Sequence, residues 1–161
     1  MARHHALVVL ALLAGTARAD VIDLPDTYAS IELDTRTWHA VTKPGLVAGY
    51  TTERGDLLAI TRAQVPNIDA WRSKTRDAYI EQIEKGLSLA GYKPSSKKLT
   101  TIEGVPVLDL EGKRRRETIV LRVILFRTYA LSLAIQHSSR TTARAIAKTF
   151  VPPPARPEGS P

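Results

Sequence analysis

The sequence predicts an α+β fold in which a mainly antiparallel sheet is covered by one long helix on one face and one short C-terminal helix on the other. Three observations point there. Short apolar runs are separated by turn signals such as Lys43-Pro44-Gly45 and Glu53-Arg54-Gly55-Asp56. A single run, from about Asp69 to Ala90, switches to a helical period. The strands that follow are apolar on both faces, and a sheet solvated on one side would carry a polar face. The 161 residues suit one domain with a tail, and 43% hydrophobic against 24% charged residues is an ordinary globular balance. Wholesale disorder, collagen-like repeats and a multi-span membrane protein are disfavoured. Cysteine is absent, which excludes a disulfide framework, a thiol nucleophile, a thiolate zinc site and a lipid-bearing cysteine.

Residues 1–19 differ from the rest. Arg3, His4 and His5 open them, Ala6 to Ala14 is unbroken apolar sequence, and Ala17-Arg18-Ala19 places small residues around a cleavable bond. This reads as a secretory signal peptide, because an apolar helix of that length rises only about 13 Å, short of a membrane span. Cleavage after Ala19 removes Arg3 and Arg18 without an acid, so the formal charge falls from +7 to +5. The longest later apolar stretch, Ile119 to Ile135, is interrupted by Arg122 and Arg127 and reads as two strands. The expected location is periplasmic or secreted.

Along residues 20–151, read as one domain, strands are expected at Tyr28 to Leu33, Trp38 to Val41, Leu46 to Thr51 and Leu57 to Ala63. The long helix follows, with Trp71, Tyr79, Ile83, Leu87 and Ala90 on one arc and charged residues opposite. Asn67 or Asp69 can cap its start, and Gly91 with Tyr92 folded back on Leu87 can end it as a Schellman cap. Arg72 and Arg76 fall within the apolar arc, which suggests that the first half of the helix hangs past the core.

A two-residue loop at Glu103-Gly104 sets Ile102 opposite Val105, Thr100 opposite Val107 and Lys98 opposite Asp109. A wider loop at Gly112 to Arg116 leads to a strand over Glu117 to Phe126. A tight turn at Arg127-Thr128 then sets Phe126 opposite Tyr129, Ile124 opposite Leu131 and Val120 opposite Ile135. The small side chains of the last strand allow one helix to sit close. After Ser138-Ser139, Ala143, Ile146, Ala147 and Phe150 give the second helix its apolar face. Residues 152–161, opening with Pro152-Pro153-Pro154, read as a disordered Pro-rich tail.

This order of leader, strand group, long helix, a strand opened by Gly104-Val105-Pro106, two long strands meeting near Tyr129 and a short helix ending in Thr149-Phe150 resembles the Mog1/PsbP-like superfamily. That group includes the photosystem II PsbP proteins, DcrB-type bacterial envelope proteins and effector chaperones of type VI secretion. The resemblance covers roughly Asp20 to Val151. It implies an α/β/α sandwich and a non-enzymatic scaffold or accessory role in binding another protein, with no catalytic residues to carry over. The leader departs from the cytoplasmic chaperones, and the missing cysteine from the lipoprotein members.

Catalytic signatures are weak. Gly86-Leu87-Ser88-Leu89-Ala90 lacks the second glycine of a nucleophile elbow and lies within the helix. His39 and His137, the histidines beyond the leader, are too isolated to suggest a metal site, and no glycine pattern cradles phosphate. No catalytic, metal or cofactor site is therefore assigned. Lys113-Arg114-Arg115-Arg116 is the sharpest local feature, and the strand register is expected to bring Lys97 and Lys98 to the same end. Such a cluster could bind anionic lipid headgroups or lipopolysaccharide; Asp109, Glu111 and Glu117 offset part of it, and the plainer reading is a solvated hairpin tip. Without interleaved aromatics, nucleic acid is disfavoured.

Arg122 falls on an apolar sheet face and needs a carboxylate or carbonyls. An internal ion pair is the plainer expectation, and a polar anchor in a ligand groove between sheet and helix the functional one. Trp38 and Trp71 read as core or rim fillers. The first role expected is binding of an envelope protein, the second binding of an anionic envelope surface, and an enzyme comes last. N-terminal sequencing of the exported protein should read from Asp20; an intact leader would overturn the cleavage reading.

Overall fold

The computed structural model describes residues 19–27, 29–65 and 73–152. The leader up to Arg18, Tyr28, the capping candidates Asn67 and Asp69, Trp71, Arg72 and the tail from Pro153 lie outside the described residues. The element order is β1 (Asp20–Asp23), β2 (Ser30–Leu33), β3 (His39–Ala40), β4 (Ala48–Thr51), β5 (Leu57–Gln64), α1 (Ser73–Leu89), β6 (Lys93–Ile102), β7 (Val105–Arg114), β8 (Glu117–Leu125), β9 (Tyr129–His137) and α2 (Arg140–Thr149). Seven strands form one sheet in the order β3-β4-β5-β9-β8-β7-β6, every neighbour antiparallel. β1 and β2 form a separate pair. β1 is an addition to the sequence expectation: its two β-branched residues, Val21 and Ile22, are too short a run between Asp20 and Asp23 to mark a strand alone, and pairing with β2 orders them.

The expected registers hold. Lys98 pairs with Asp109 and Thr100 with Val107, around a turn in which Glu103 (φ 49°) and Gly104 (φ 76°) are both left-handed. Ile124 pairs with Leu131 and Val120 with Ile135. The wide loop expected at Gly112 to Arg116 is instead a two-residue turn, with Arg114 paired to Glu117 and Arg115 at φ 52°. Gly112 is a strand residue rather than a breaker. A Cβ there would meet Tyr92 Cβ at 2.9 Å and Leu87 Cδ2 at 3.0 Å, so its bare backbone is the seat on which the end of α1 rests.

Both faces of the sheet bear a helix. α1 covers β6 to β8 through Ile80 and Leu87, with Tyr79 and Ile83 partly buried, over a cluster that includes Leu108, Leu110, Val123, Leu125 and Ala130. It ends as expected, Gly91 donating to the Ser88 carbonyl and Tyr92 to that of Leu87. Of the small residues of β9, Ala130 is buried in this cluster, whereas Ser132 and Ala134 stay partly exposed. Arg76 is folded in rather than overhanging, its side chain 24% exposed beside Asp77.

On the opposite face α2 lies between the main sheet and the β1–β2 pair. Ala143, Ala147 and Phe150 are buried there with Ile31, Leu33, Ile60, Ile124, Leu131 and Leu133. Ser139 caps α2 by accepting from the Thr142 amide. Thr149 Oγ1 accepts from the Glu32 amide at 3.0 Å, and Val151 bridges to Ser30, tying α2 to β2.

Charged groups fix α2 to the sheet. Glu111 of β7, 9% exposed, accepts from Arg140 Nε at 2.7 Å and from Arg144, one helical turn further along. Arg122 of β8, 7% exposed, donates to Asp109 through Nε (2.7 Å) and Nη2 (2.9 Å), and its Nη1 reaches the Lys148 carbonyl at 3.1 Å and that of Phe150 at 3.4 Å. A guanidinium at the carbonyl end of a helix also offsets the negative end of its dipole. Burial pushes the Glu111 carboxyl up, but hydrogen bonds and charge from Arg144 and Arg140 outweigh it and hold the group below the ordinary glutamate range.

Phe150→Ala should cost about 3–5 kcal/mol, read as a lower urea midpoint. Leu89→Ala, at a side chain 80% exposed, should change stability by less than about 0.5 kcal/mol. Glu111→Gln should cost about 1–2 kcal/mol at neutral pH, solvent around both arginines keeping it at the low end. Because the folded-state value is depressed, that contribution is complete above the unfolded carboxyl range and fades as pH falls through the folded value. Urea titrations of the two proteins should therefore converge in acid.

Candidate functional site

A groove of about 220 Å³ opens between the β6 edge and α2. Ser96 and Lys98 form its outer wall, Arg144 and Lys148 the helical wall, and Asp109, Glu111 and Arg122 its base. Strand alternation explains the base: Asp109, Glu111 and Arg122 share the α2 face with Val107, Val120 and Ile124. The helical wall follows from spacing, since Arg140, Arg144 and Lys148 recur every four residues and lie along one stripe of α2.

Arg122 takes the plainer of the two arrangements expected for it. It is an internal ion pair, and it also borders a groove between sheet and helix. Arg144 and Lys148 were not singled out from sequence, although their four-residue spacing was readable. Glu111, expected to neutralise the basic hairpin, instead serves α2. The cations are unequally engaged: Arg122 holds Asp109 and Arg144 holds Glu111, whereas Lys98 and Lys148, both exposed, have no acidic partner among the described residues.

The six cations expected to converge do not. Lys97 and Lys98 are consecutive strand residues and face opposite sides of the sheet. Lys97 turns to the α1 side, where Nζ meets Glu84 Oε2 at 3.0 Å. Lys98 turns to the groove. Both stand back from the hairpin tip, because it is Lys93 that pairs with Lys113, and Lys98 lies four pairs further along, about 13 Å away.

At the tip the four consecutive cations divide their work. Arg114 donates to Glu117 through Nε (3.1 Å) and Nη2 (2.7 Å), reaches the Ala90 carbonyl at 3.2 Å and lies 4.6 Å from the centroid of the Tyr92 ring. It therefore closes the end of α1. Hydrogen bonding to Glu117 holds its guanidinium above the ordinary value, and burial does the same to the Tyr92 phenol. Lys113, Arg115 and Arg116 are exposed and free of acidic partners among the described residues.

His39 and His137, isolated in sequence, border one hollow of about 400 Å³ with Thr52 and Asp56. The groups do not form a proton relay. His137 Nδ1 accepts from the Ser139 amide at 2.7 Å, and Nε2 stands 3.7 Å from Asp56 Oδ2. The Thr52 hydroxyl donates to Asp56 at 2.9 Å, so its proton is committed to the acid rather than to a histidine. Among the described residues no group of three or more His, Cys, Asp or Glu side chains is placed to hold a metal ion. No helix described is long and apolar enough to cross a membrane.

No protein-family model matches the sequence, and no curated protein does. Solved structures do match. The solution structure of cyanobacterial PsbP (CyanoP) from Synechocystis sp. PCC 6803 superposes with a TM-score of 0.64 at 11% identity, over 86% of this chain and 94% of CyanoP. A Pseudomonas aeruginosa protein of unknown function, PA94, described as a putative regulator, reaches a TM-score of 0.47 at 14% identity over 86% of this chain and 99% of its own. With two helices packed on a seven-stranded antiparallel sheet and a superposition that spans nearly all of CyanoP, the chain has the Mog1/PsbP-like fold.

Proposed function

We propose that this chain is an exported, non-enzymatic accessory or scaffold protein of a bacterial envelope that works by binding another protein. The observation that carries the reading is the β6 edge. β6 is the outermost strand of the sheet, ten residues long and exposed over most of its length. Among the described residues its outward amides and carbonyls face no other strand, and a row of unpaired backbone groups on a rigid sheet is a ready site for a partner strand. Pro94 and the irregular pairing between Pro94 and Ser96 guard only its first part. The opposite edge, β3, is only two residues long and offers far less.

A second reading rests on the hairpin tip. Lys113, Arg115 and Arg116 carry charge that no internal acid consumes, as a peripheral contact with anionic lipid headgroups or lipopolysaccharide requires. A photo-reactive residue at Leu99, 39% exposed on β6, should capture a discrete protein in the intact envelope. R115E/R116E should leave the adduct unchanged. Absence of a protein adduct from Leu99 would overturn the first reading. Co-sedimentation with anionic vesicles that falls steeply with salt, and at least about tenfold in R115E/R116E, would establish the second.

A further inference from the structure

The proposed docking edge and the cationic groove are one continuous surface, since Ser96 and Lys98 belong to both. We infer that the groove receives acidic side chains of an extended segment of the partner, laid along β6 as an additional strand. The inference rests on the β6 reading and adds the chemistry of what docks there.

Charge comes first. Four cations border the groove against two carboxylates, and the pairs Arg122–Asp109 and Arg144–Glu111 use up both acids. Lys98, on the strand side, and Lys148, on the helix side, are left facing the same hollow without a counter-charge among the described residues. A carboxylate entering between them would be attracted by both and repelled only by acids that arginines already neutralise.

Size and periodicity narrow the ligand. About 220 Å³ suits one or two acidic side chains and falls below the roughly 300–1,000 Å³ of sites for free organic ligands. A strand added to β6 would turn alternate residues to the two faces, about 6.6 Å between same-face neighbours. On the α2 face these would lie beside Lys98 and the groove. On the α1 face they would meet Leu99 and a hollow that includes Ile80 and Leu108, with Asp77, Glu81, Glu84 and Lys97 at its rim. Lys97 is taken up by Glu84 and Asp77 lies beside Arg76, which leaves Glu81 without a counter-charge among the described residues. Acidic residues suit the first side, and apolar residues the second, where Glu81 would repel acids. The structure therefore assigns the partner a segment in which acidic and apolar residues alternate.

The experiment uses a fluorescent seven-residue peptide of alternating glutamate and valine, a glutamine-for-glutamate control, and the chain from Asp20 onward. The acidic peptide should bind saturably, with the control at least about tenfold weaker. K98E/K148E should weaken it by at least about tenfold and K98Q/K148Q by less, while R115E/R116E should change it by no more than about twofold. Lys98 and Lys148 are exposed, so unchanged thermal melts should accompany the loss. Equal binding of both peptides, indifference to the lysine changes, or a loss that follows R115E/R116E instead would each overturn the inference. So would free glutarate competing as well as the peptide, since the site would then hold a small dicarboxylate and no strand. Protein capture at Leu99 without acidic-peptide binding would fell this inference alone; peptide binding without capture would fell the envelope role instead.

Discussion

An arginine stands on an apolar face, and the α2 side of the molecule is organised around satisfying it. Arg122 lies between Val120 and Ile124 on β8 and across from Leu133 on β9. An unpaired guanidinium there would cost several kcal/mol, enough to offset much of a small domain's stability. Asp109, its direct cross-strand neighbour, takes one edge of the guanidinium, and the carbonyls of Lys148 and Phe150 take the remaining donor. Both requirements meet only when the end of α2 is in place. Seating that end lowers Phe150 into the core, brings Thr149 to the Glu32 amide and aligns Val151 with Ser30. The β1–β2 pair is thus tied to the same helix end that satisfies a charge on β8.

The same constraint keeps the groove open. Helix α2 is held to the sheet by long side chains, Arg140 and Arg144 to Glu111 near its start and Arg122 toward its end. Its apolar stripe of Ala143, Ala147 and Phe150 packs on the other side of those contacts. Beside those contacts lies the groove, walled by charge. Filling the gap with apolar residues would pack the layers more tightly and abolish the cavity. A polar seam of this kind is compatible with stability because Arg122, Asp109 and Glu111 are each multiply bonded.

Much of this architecture was legible in the sequence because turn chemistry and periodicity are local signals. The Glu103-Gly104 turn fixed the register that sets Lys98 against Asp109, and two-sided apolar strands demanded two helices. Misreadings came where a residue's local meaning was overruled by its neighbours in space. Gly112 looks like a breaker, yet Tyr92 and Leu87 occupy the space its side chain would need. Lys97 and Lys98 look like part of a basic cluster, but alternation sends them to opposite faces, and Glu84 claims the first. Arg114 looks like one of four equivalent cations, while it alone reaches Tyr92 and the carbonyl at the end of α1. The meeting of His39 and His137 could not be read, because it depends on how β3 and β9 are placed around Trp38 and Asp56.

Sorting the cations by partner changes what the surface means. Counted along the chain, positive charge peaks at the hairpin. Counted by what remains after internal pairing among the described residues, it includes single exposed cations such as Lys43, Arg54, Lys85 and Lys93, a group at the tip, at Lys113, Arg115 and Arg116, and two lysines that share the groove, Lys98 and Lys148. The tip is exposed, so charge there acts over a Debye length and is screened by salt. In the groove, two lysines flank a recess whose walls exclude part of the solvent, and a strand edge unpaired among the described residues runs beside it. Charge placed so can contribute to specificity and orientation as well as attraction, because the backbone sets the register in which a carboxylate arrives. An edge that offers only hydrogen bonds would pair with almost any strand, its own copies included. Lysines at that edge discourage a second copy of β6, which would bring Lys97 and Lys98 against like charge, and leave it open to a segment of opposite sign.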